Sequence, residues 1–253
     1  MGTAEITNGI AQDAVIEISH LTKSFNGRPV LRDINMLLHR GENLAVLGKS
    51  GQGKSVTIKC IIGLIEQDGG VVKVLGKDVI ALEDDALKEL RVKVGFLFQG
   101  GALYDSMSVE ENLAFPLTRV LKLTNRKEIR QRVHEILEEV ELKQTAKKMP
   151  SELSGGMRKR IALARTLIMK PEIILYDEPT TGLDPITSKD ISELIRKMQE
   201  KYKASSLIIT HDMACARITA DRMLVMNDGV FIAEGTHEEL AKCDNEMVCA
   251  FFK

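Results

Sequence analysis

Leu44-Ala45-Val46-Leu47-Gly48-Lys49-Ser50-Gly51-Gln52-Gly53-Lys54-Ser55 is the stretch that decides the fold. Four apolar residues, enough for a buried strand, run into G-x-x-x-x-G-K-S, and a helix is predicted near 54–63. In that setting the glycines let backbone N–H groups turn inward around a phosphate, where side chains would block the approach. Lys54 supplies positive charge for the β- and γ-phosphates, the Ser55 hydroxyl is a ligand for Mg²⁺, and the helix start adds its dipole.

Outward from this loop, apolar strands are predicted at Leu44–Leu47, Val94–Phe98, Ile173–Tyr176, Leu207–Thr210 and Met223–Met226. Helical stretches near 156–169 and 186–203 lie between later strands. The alternation predicts an α/β core of the P-loop NTPase type, a mainly parallel sheet between helices. Upstream, Val15–Ile18 and Ile34–Leu38 are strand-like, with turns at Asn26-Gly27 and Arg40-Gly41, which predicts an N-terminal antiparallel β subdomain. Between Gln99 and Gly155 no strand is apparent. Ser108-Val109-Glu110-Glu111 is a capping box, and Ile129, Val133, Ile136, Leu137 and Val140 form an apolar helical stripe. That region, 100–165, is expected to be an inserted α-helical subdomain. Asp228-Gly229 marks a final hairpin, and the capping box Thr236-His237-Glu238-Glu239 opens a C-terminal helix within 235–253. The whole of 1–253 is expected to be one domain, with 1–13 a loose lead-in.

Composition narrows the function. Of 253 residues, 44% are hydrophobic and 28% charged, and 35 Lys plus Arg face 36 Asp plus Glu, for a net charge of −1. A general nucleic-acid binder needs a basic surface, and aromatics at 4% leave few stacking platforms, so no nucleic-acid partner is expected. The longest apolar run, Cys60-Ile61-Ile62-Gly63-Leu64-Ile65, is far short of the ~20 residues of a membrane helix. No signal peptide is legible, and Ile6 stands where a myristoylation motif opened by Met1-Gly2 needs Ser or Thr. Cys60, Cys215, Cys243 and Cys249 lack zinc spacing and read as reduced cytosolic thiols.

A second half of the site follows from Ile173-Ile174-Leu175-Tyr176-Asp177-Glu178, a buried strand that ends in two acids at the ligand crevice of an open parallel sheet. Alone, the pair would be a surface cap. Beside a phosphate loop, Asp177 is placed to hold Mg²⁺ through water and Glu178 to accept a proton from an attacking water. Leu153-Ser154-Gly155-Gly156-Met157, ahead of a helix, is a second anion-binding turn by the same dipole logic. The next residues, Arg158, Lys159 and Arg160, read as a solvated helix face.

These motifs, in this order, resemble the nucleotide-binding subunits of ATP-binding-cassette (ABC) transporters along nearly the whole chain. The resemblance identifies Walker A at 48–55, a glutamine loop at Gln99, a signature at 153–157, Walker B at 173–178, a D-loop Thr181-Gly182-Leu183-Asp184, and a switch histidine in Thr210-His211-Asp212. It implies an ATPase with catalytic Glu178, His211 and Gln99. ATP would be held by Phe25, Gly48, Lys49, Ser50, Gly51, Gln52, Gly53, Lys54, Ser55, Val56, Ser154, Gly155, Gly156 and Asp184, and Mg²⁺ by Ser55, Gln99 and, through water, Asp177. Phe25 would lie against adenine, and His211 would hold the γ-phosphate. Met157 departs from the Gln usual there.

In the family, ATP is cleaved between two subunits, so the single intact copy of each part implies a homodimer. The resemblance also implies a separate transmembrane permease and a place on the cytoplasmic face of the inner membrane. The segment 98–117, with 154–160, looks like the ATPases of mammalian-cell-entry (MCE) phospholipid transporters, which implies an MCE-type lipid-binding partner as well. Leu103, Tyr104 and Phe115 are expected to line a groove for a permease helix. The rival readings are an ATPase for another solute, such as an amino acid or a lipoprotein, and a soluble ABC ATPase of the iron–sulfur assembly kind.

Overall fold

The computed structural model describes residues 13–252, so the expected lead-in over 1–13, with the myristoylation position, lies outside the described residues except for Asp13. Strands β1 (Ala14–Phe25) and β2 (Arg28–His39) form a long antiparallel hairpin whose turn is Asn26-Gly27. Strand β3 (Asn43–Leu47) leads through the glycine loop into helix α1 (Lys54–Ile61). Strands β4 (Gly69–Val74) and β5 (Lys77–Asp78) then return to the hairpin and complete an antiparallel sheet of order β2-β1-β4-β5. Helix α2 (Asp84–Lys93) and strand β6 (Val94–Leu97) bring the chain back to the other sheet.

Three helices fill the insert: α3 (Val109–Arg119), α4 (Arg126–Glu139) and α5 (Gly155–Leu167). The chain continues as β7 (Ile173–Asp177), α6 (Pro185–Tyr202), β8 (Ser205–Thr210), α7 (Met213–Thr219), β9 (Arg222–Asn227) and β10 (Val230–Gly235). The second sheet has the order β10-β9-β3-β8-β7-β6, parallel except for the β9–β10 hairpin. All residues of β3, β7 and β8 are buried, which is why Leu44–Leu47, Ile173–Tyr176 and Leu207–Ile209 within them read as unbroken apolar runs rather than alternating ones.

Alternation along the strands assigns the two faces of this sheet. Leu44, Val46, Ile173 and Leu175 point to the antiparallel sheet and α1. Ile174, Tyr176 and Ile208 point to the insert, where Leu113, Leu117, Val133, Ile136 and Leu137 meet them. Each such side chain contributes about 1.5–3 kcal/mol on burial, whereas a half-exposed i,i+4 pair such as Arg132–Glu128 adds about 0.3–0.5. Packing against the sheet, not surface charge, holds the insert in place.

Two departures have physical causes. The sequence reading assigns no element between 64 and 93, where β4, β5 and α2 form. Strand β4 opens on Gly69-Gly70, which reads as a turn. A Cβ on Gly70 would stand 2.3 Å from the His20 carbonyl oxygen, so the glycine permits a close backbone crossing. Helix α2 buries only Leu90, too little for a visible period. In place of one C-terminal helix there are two short ones, α8 (His237–Ala241), opened by the Thr236–Glu239 capping box, and α9 (Glu246–Phe252).

Candidate active site

The site forms at the C-terminal ends of β3, β7 and β8, where the parallel strands deliver their loops to one edge. Gly53 caps α1 at φ +101, and a Cβ there would meet the Val30 carbonyl at 2.9 Å, so glycine is required on both counts. The first N–H groups of α1 have no partner within the helix and form the anion-binding end. Lys54, 5% exposed, donates to the carbonyls of Gly48 at 2.6 Å and Lys49 at 3.0 Å, and its ammonium lies 3.5 Å from Glu178 Oε1. The Ser55 hydroxyl donates to Asp177 Oδ1 at 2.8 Å, joining the two halves of the sequence pattern across 122 residues.

Glu178 is buried and adopts a left-handed backbone, φ 52, which for a non-glycine residue stores on the order of 1–3 kcal/mol of strain. Its Oε2 accepts from His211 Nδ1 at 2.8 Å and from the Thr181 hydroxyl at 3.2 Å. Because an ionised carboxylate only accepts, this bond places the ring proton on Nδ1 and turns Nε2 outward.

A cavity of about 340 Å³ gathers Ser50, Gly51, Gly53, Lys54, Ser55 and Val56 with Gln99, Glu178 and His211. Val30 and Thr181 also line it, and the sequence reading gave neither of them a role. Val30 carries no chemical signal in β2. Thr181 was legible only as part of the D-loop.

Other expected site residues stand elsewhere. Phe25 lies outside the cavity lining, at the hairpin end, with its ring 41% exposed and Lys23 Nζ 5.5 Å from the centroid. Gly48 and Lys49 bend back over Lys54, and the Gln52 amide oxygen accepts from the Asp228 N–H, tying the loop to the β9–β10 turn. Ser154 is exposed and caps α5, accepting from Met157 N at 3.3 Å. Gly155 and Gly156 begin that helix, and a Cβ on Gly156 would stand 2.6 Å from Thr187 Cγ2. Asp184 caps α6, accepting from Ile186 N and Thr187 N at 3.0 Å and from the Thr187 hydroxyl at 2.6 Å, bonds that hold its carboxyl below the usual value. The signature turn and Asp184 therefore do not line their own chain's cavity.

The reading of 158–160 as one solvated face is corrected. Successive residues are 100° apart on a helix, so three in a row cannot share a face. Arg158 is exposed, Arg160 bonds Glu141 at 2.9 Å, and Lys159 is buried. Burial lowers the Lys159 pKa, an effect opposed by the charges of Glu178 and Asp177.

A phosphate loop, a carboxylate pair at a strand end and a His–Glu contact in one cleft define a P-loop ATPase. The sequence profile of the ABC transporter family matches residues 31–181, and the chain belongs to that family. It is 40% identical to the probable ribonucleotide transport ATP-binding protein Mkl of Mycobacterium tuberculosis, over 97% of this chain and 68% of that one. It is 37% identical to the intermembrane phospholipid transport system ATP-binding protein MlaF of Haemophilus influenzae, over 94% and 90%. Among solved structures, the dimeric ATP-binding cassette MJ0796 with ADP and Pi matches with a TM-score of 0.78 and 32% identity, over 87% of this chain and 98% of that one. The chain is thus an ATP-binding subunit of an ABC transporter, and its hydrolysis of ATP is coupled to transport.

Proposed function

We propose that this chain powers phospholipid movement between bacterial membranes, working as a homodimer beneath a separate permease that carries an MCE-type lipid-binding component. The observation that supports this reading over other solutes is the near whole-length likeness to MlaF. This chain's part in transport is to supply work from the cytoplasmic face of the inner membrane through that permease; among the described residues no helix is long and apolar enough to cross a membrane.

At the site, Glu178 accepts the proton of the attacking water, and His211, held by Glu178, presents Nε2 to the γ-phosphate. Lys54 exchanges its loop carbonyls for the β- and γ-phosphates. Phe25 stacks on adenine from its open hairpin. Ser55 and Asp177 meet through oxygens at 2.8 Å with Gln99 lining the same cavity, a sparse all-oxygen set that suits Mg²⁺, which keeps several waters. When bound, Mg²⁺ neutralises charge on the phosphates and aligns them. Ser154, Gly155, Gly156 and Asp184 close on the nucleotide of the second copy.

The permease contact is a groove of about 730 Å³ beside β6, lined by Phe96, Tyr104, Phe115 and Met169 and rimmed by Arg119 and Arg165. The Tyr104 and Phe115 rings meet at a tilt of 49° with centroids 4.8 Å apart, and Arg165 lies 5.6 Å from the Tyr104 ring. Leu103, expected beside them, packs into the insert core instead. The test is reconstitution with the permease encoded beside the gene, in liposomes carrying labelled phospholipid. Transfer that requires ATP and an intact Glu178 is expected. ATP-driven movement of a ribonucleotide with no lipid transfer would overturn the phospholipid reading and leave the ATPase assignment standing.

A further inference from the structure

Lys159 lies one and a half turns into α5, 7% exposed, and no carboxylate oxygen among the described residues is within ion-pair distance of it. A buried ammonium needs its three N–H donors satisfied, and the two contacts it makes are both to main-chain carbonyls. It donates to Gln99 O at 2.5 Å, with a longer contact to Glu178 O at 3.4 Å. Those carbonyls belong to two segments far apart in sequence, each of which contributes a residue, Gln99 or Glu178, to the lining of the nucleotide cavity.

The Gln99 segment needs such a tie. It is a tight turn closed by Gly101 N donating to Phe98 O at 2.9 Å, with Gly101 and Ala102 at φ 77 and 48 and Phe98, Gln99 and Gly100 all exposed. It lies against α5, since a Cβ on Gly101 would touch Ala162 Cβ at 3.3 Å. Glu178 is likewise in a strained conformation, which persists only where surrounding contacts over-determine it. One ammonium reaches both.

We propose that Lys159 is a positioning residue, tying the Gln99 turn and the Glu178 backbone to the helix whose N-terminus is the Ser154–Gly156 turn, so that these three parts of the site keep one arrangement. Lys159 is not among the residues that line the cavity; it acts through Gln99 and Glu178, and the inference rests on the roles proposed for them. Neither Arg158 nor Arg160 can substitute, the first being exposed and the second committed to Glu141 and the Val140 carbonyl.

The test compares Lys159→Met, which keeps the length and removes the donors, with Lys159→Arg, which keeps charge and donors. Lys159→Met should lose kcat on the order of 10²-fold, as expected when reacting groups shift by about an ångström, with the Kd for ATP unchanged because Lys54 and Ser55 are untouched. Lys159→Arg should recover most of that loss. Without nucleotide, amide hydrogens of 99–102 should exchange faster in Lys159→Met. A kcat within about twofold of wild type, an ATP affinity that falls in step with kcat, or unchanged exchange at 99–102 would overturn the proposal. If Lys159→Met does not fold, Lys159→Gln, whose shorter amide cannot span both carbonyls, is read the same way, and wild-type exchange and kcat in it would again refute the tie. Gln99→Ala separates the two layers: wild-type turnover there removes the proposed role of Gln99, whereas the exchange measurement tests the tether alone.

Discussion

At the residue scale, the proposed general base is Glu178, whose carboxylate sits between Lys54 at 3.5 Å and His211 at 2.8 Å. Glu178→Gln keeps the shape but cannot take a proton, so kcat should fall by about 10²–10⁴ while ATP still binds. Equilibrium binding beside steady-state turnover checks this, and near-normal turnover would remove Glu178 from the role. The thiols offer a second residue-level expectation. Cys60 and Cys215 are buried, and burial pushes each thiol up to about 11, leaving almost no thiolate near neutral pH. Cys243 and Cys249 are half-buried. Timed labelling of the native chain with a thiol reagent should modify the latter two well before the former, and all four together in denaturant.

At the element scale, the start of α3 is organised by Asn112, which is fully buried. Its amide donates to the carbonyls of Tyr104, Met107 and Ser108 at 3.0 Å each and accepts from Tyr104 N at 2.8 Å, so one side chain folds the loop that presents Tyr104 to the groove. Asn112→Ala strands those buried backbone groups at a cost of about 1–3 kcal/mol, which in a chain of this size lowers Tm by about 2–4 °C per kcal/mol. A thermal melt reads the stability, and permease-stimulated turnover should fall while the Kd for ATP holds. Ser108→Ala, which removes only the cap, should cost about 1 kcal/mol and leave the loop in place. Equal losses of permease stimulation in both variants would show that helix stability, not the Asn112 network, sets the groove.

At the scale of the whole molecule, the Ser154–Gly156 turn and the cavity do not meet within one chain. In the proposed arrangement a second copy completes the site, so ATPase activity of the isolated subunit should rise faster than linearly with concentration. Glu178→Gln, unable to hydrolyse, should accumulate as an ATP-dependent dimer on size exclusion. A monomer with full specific activity at every concentration would contradict the shared site.

The sequence by itself determined the order of strands and helices in the nucleotide core and most of the residues that line the cavity. Both are written locally: a loop that cradles phosphate needs glycines at fixed offsets, and a doubly covered parallel strand carries a continuous apolar run at its centre, as in β3, β7 and β8. The helical stripe at Val133, Ile136 and Leu137 is legible for the same reason, because one helix face sets its period. What only the tertiary structure decided is which distant groups share an environment. Val30 reaches the cavity because β2 crosses beside the loop, and Glu178 turns left-handed where its backbone N–H bonds Ile209 O at 2.8 Å. Lys159 reads as one of three surface cations until packing of α5 against the Gln99 turn removes it from water. Burial and long-range hydrogen bonds are properties of pairs of segments, and neither segment carries a sign of the other until the chain has closed.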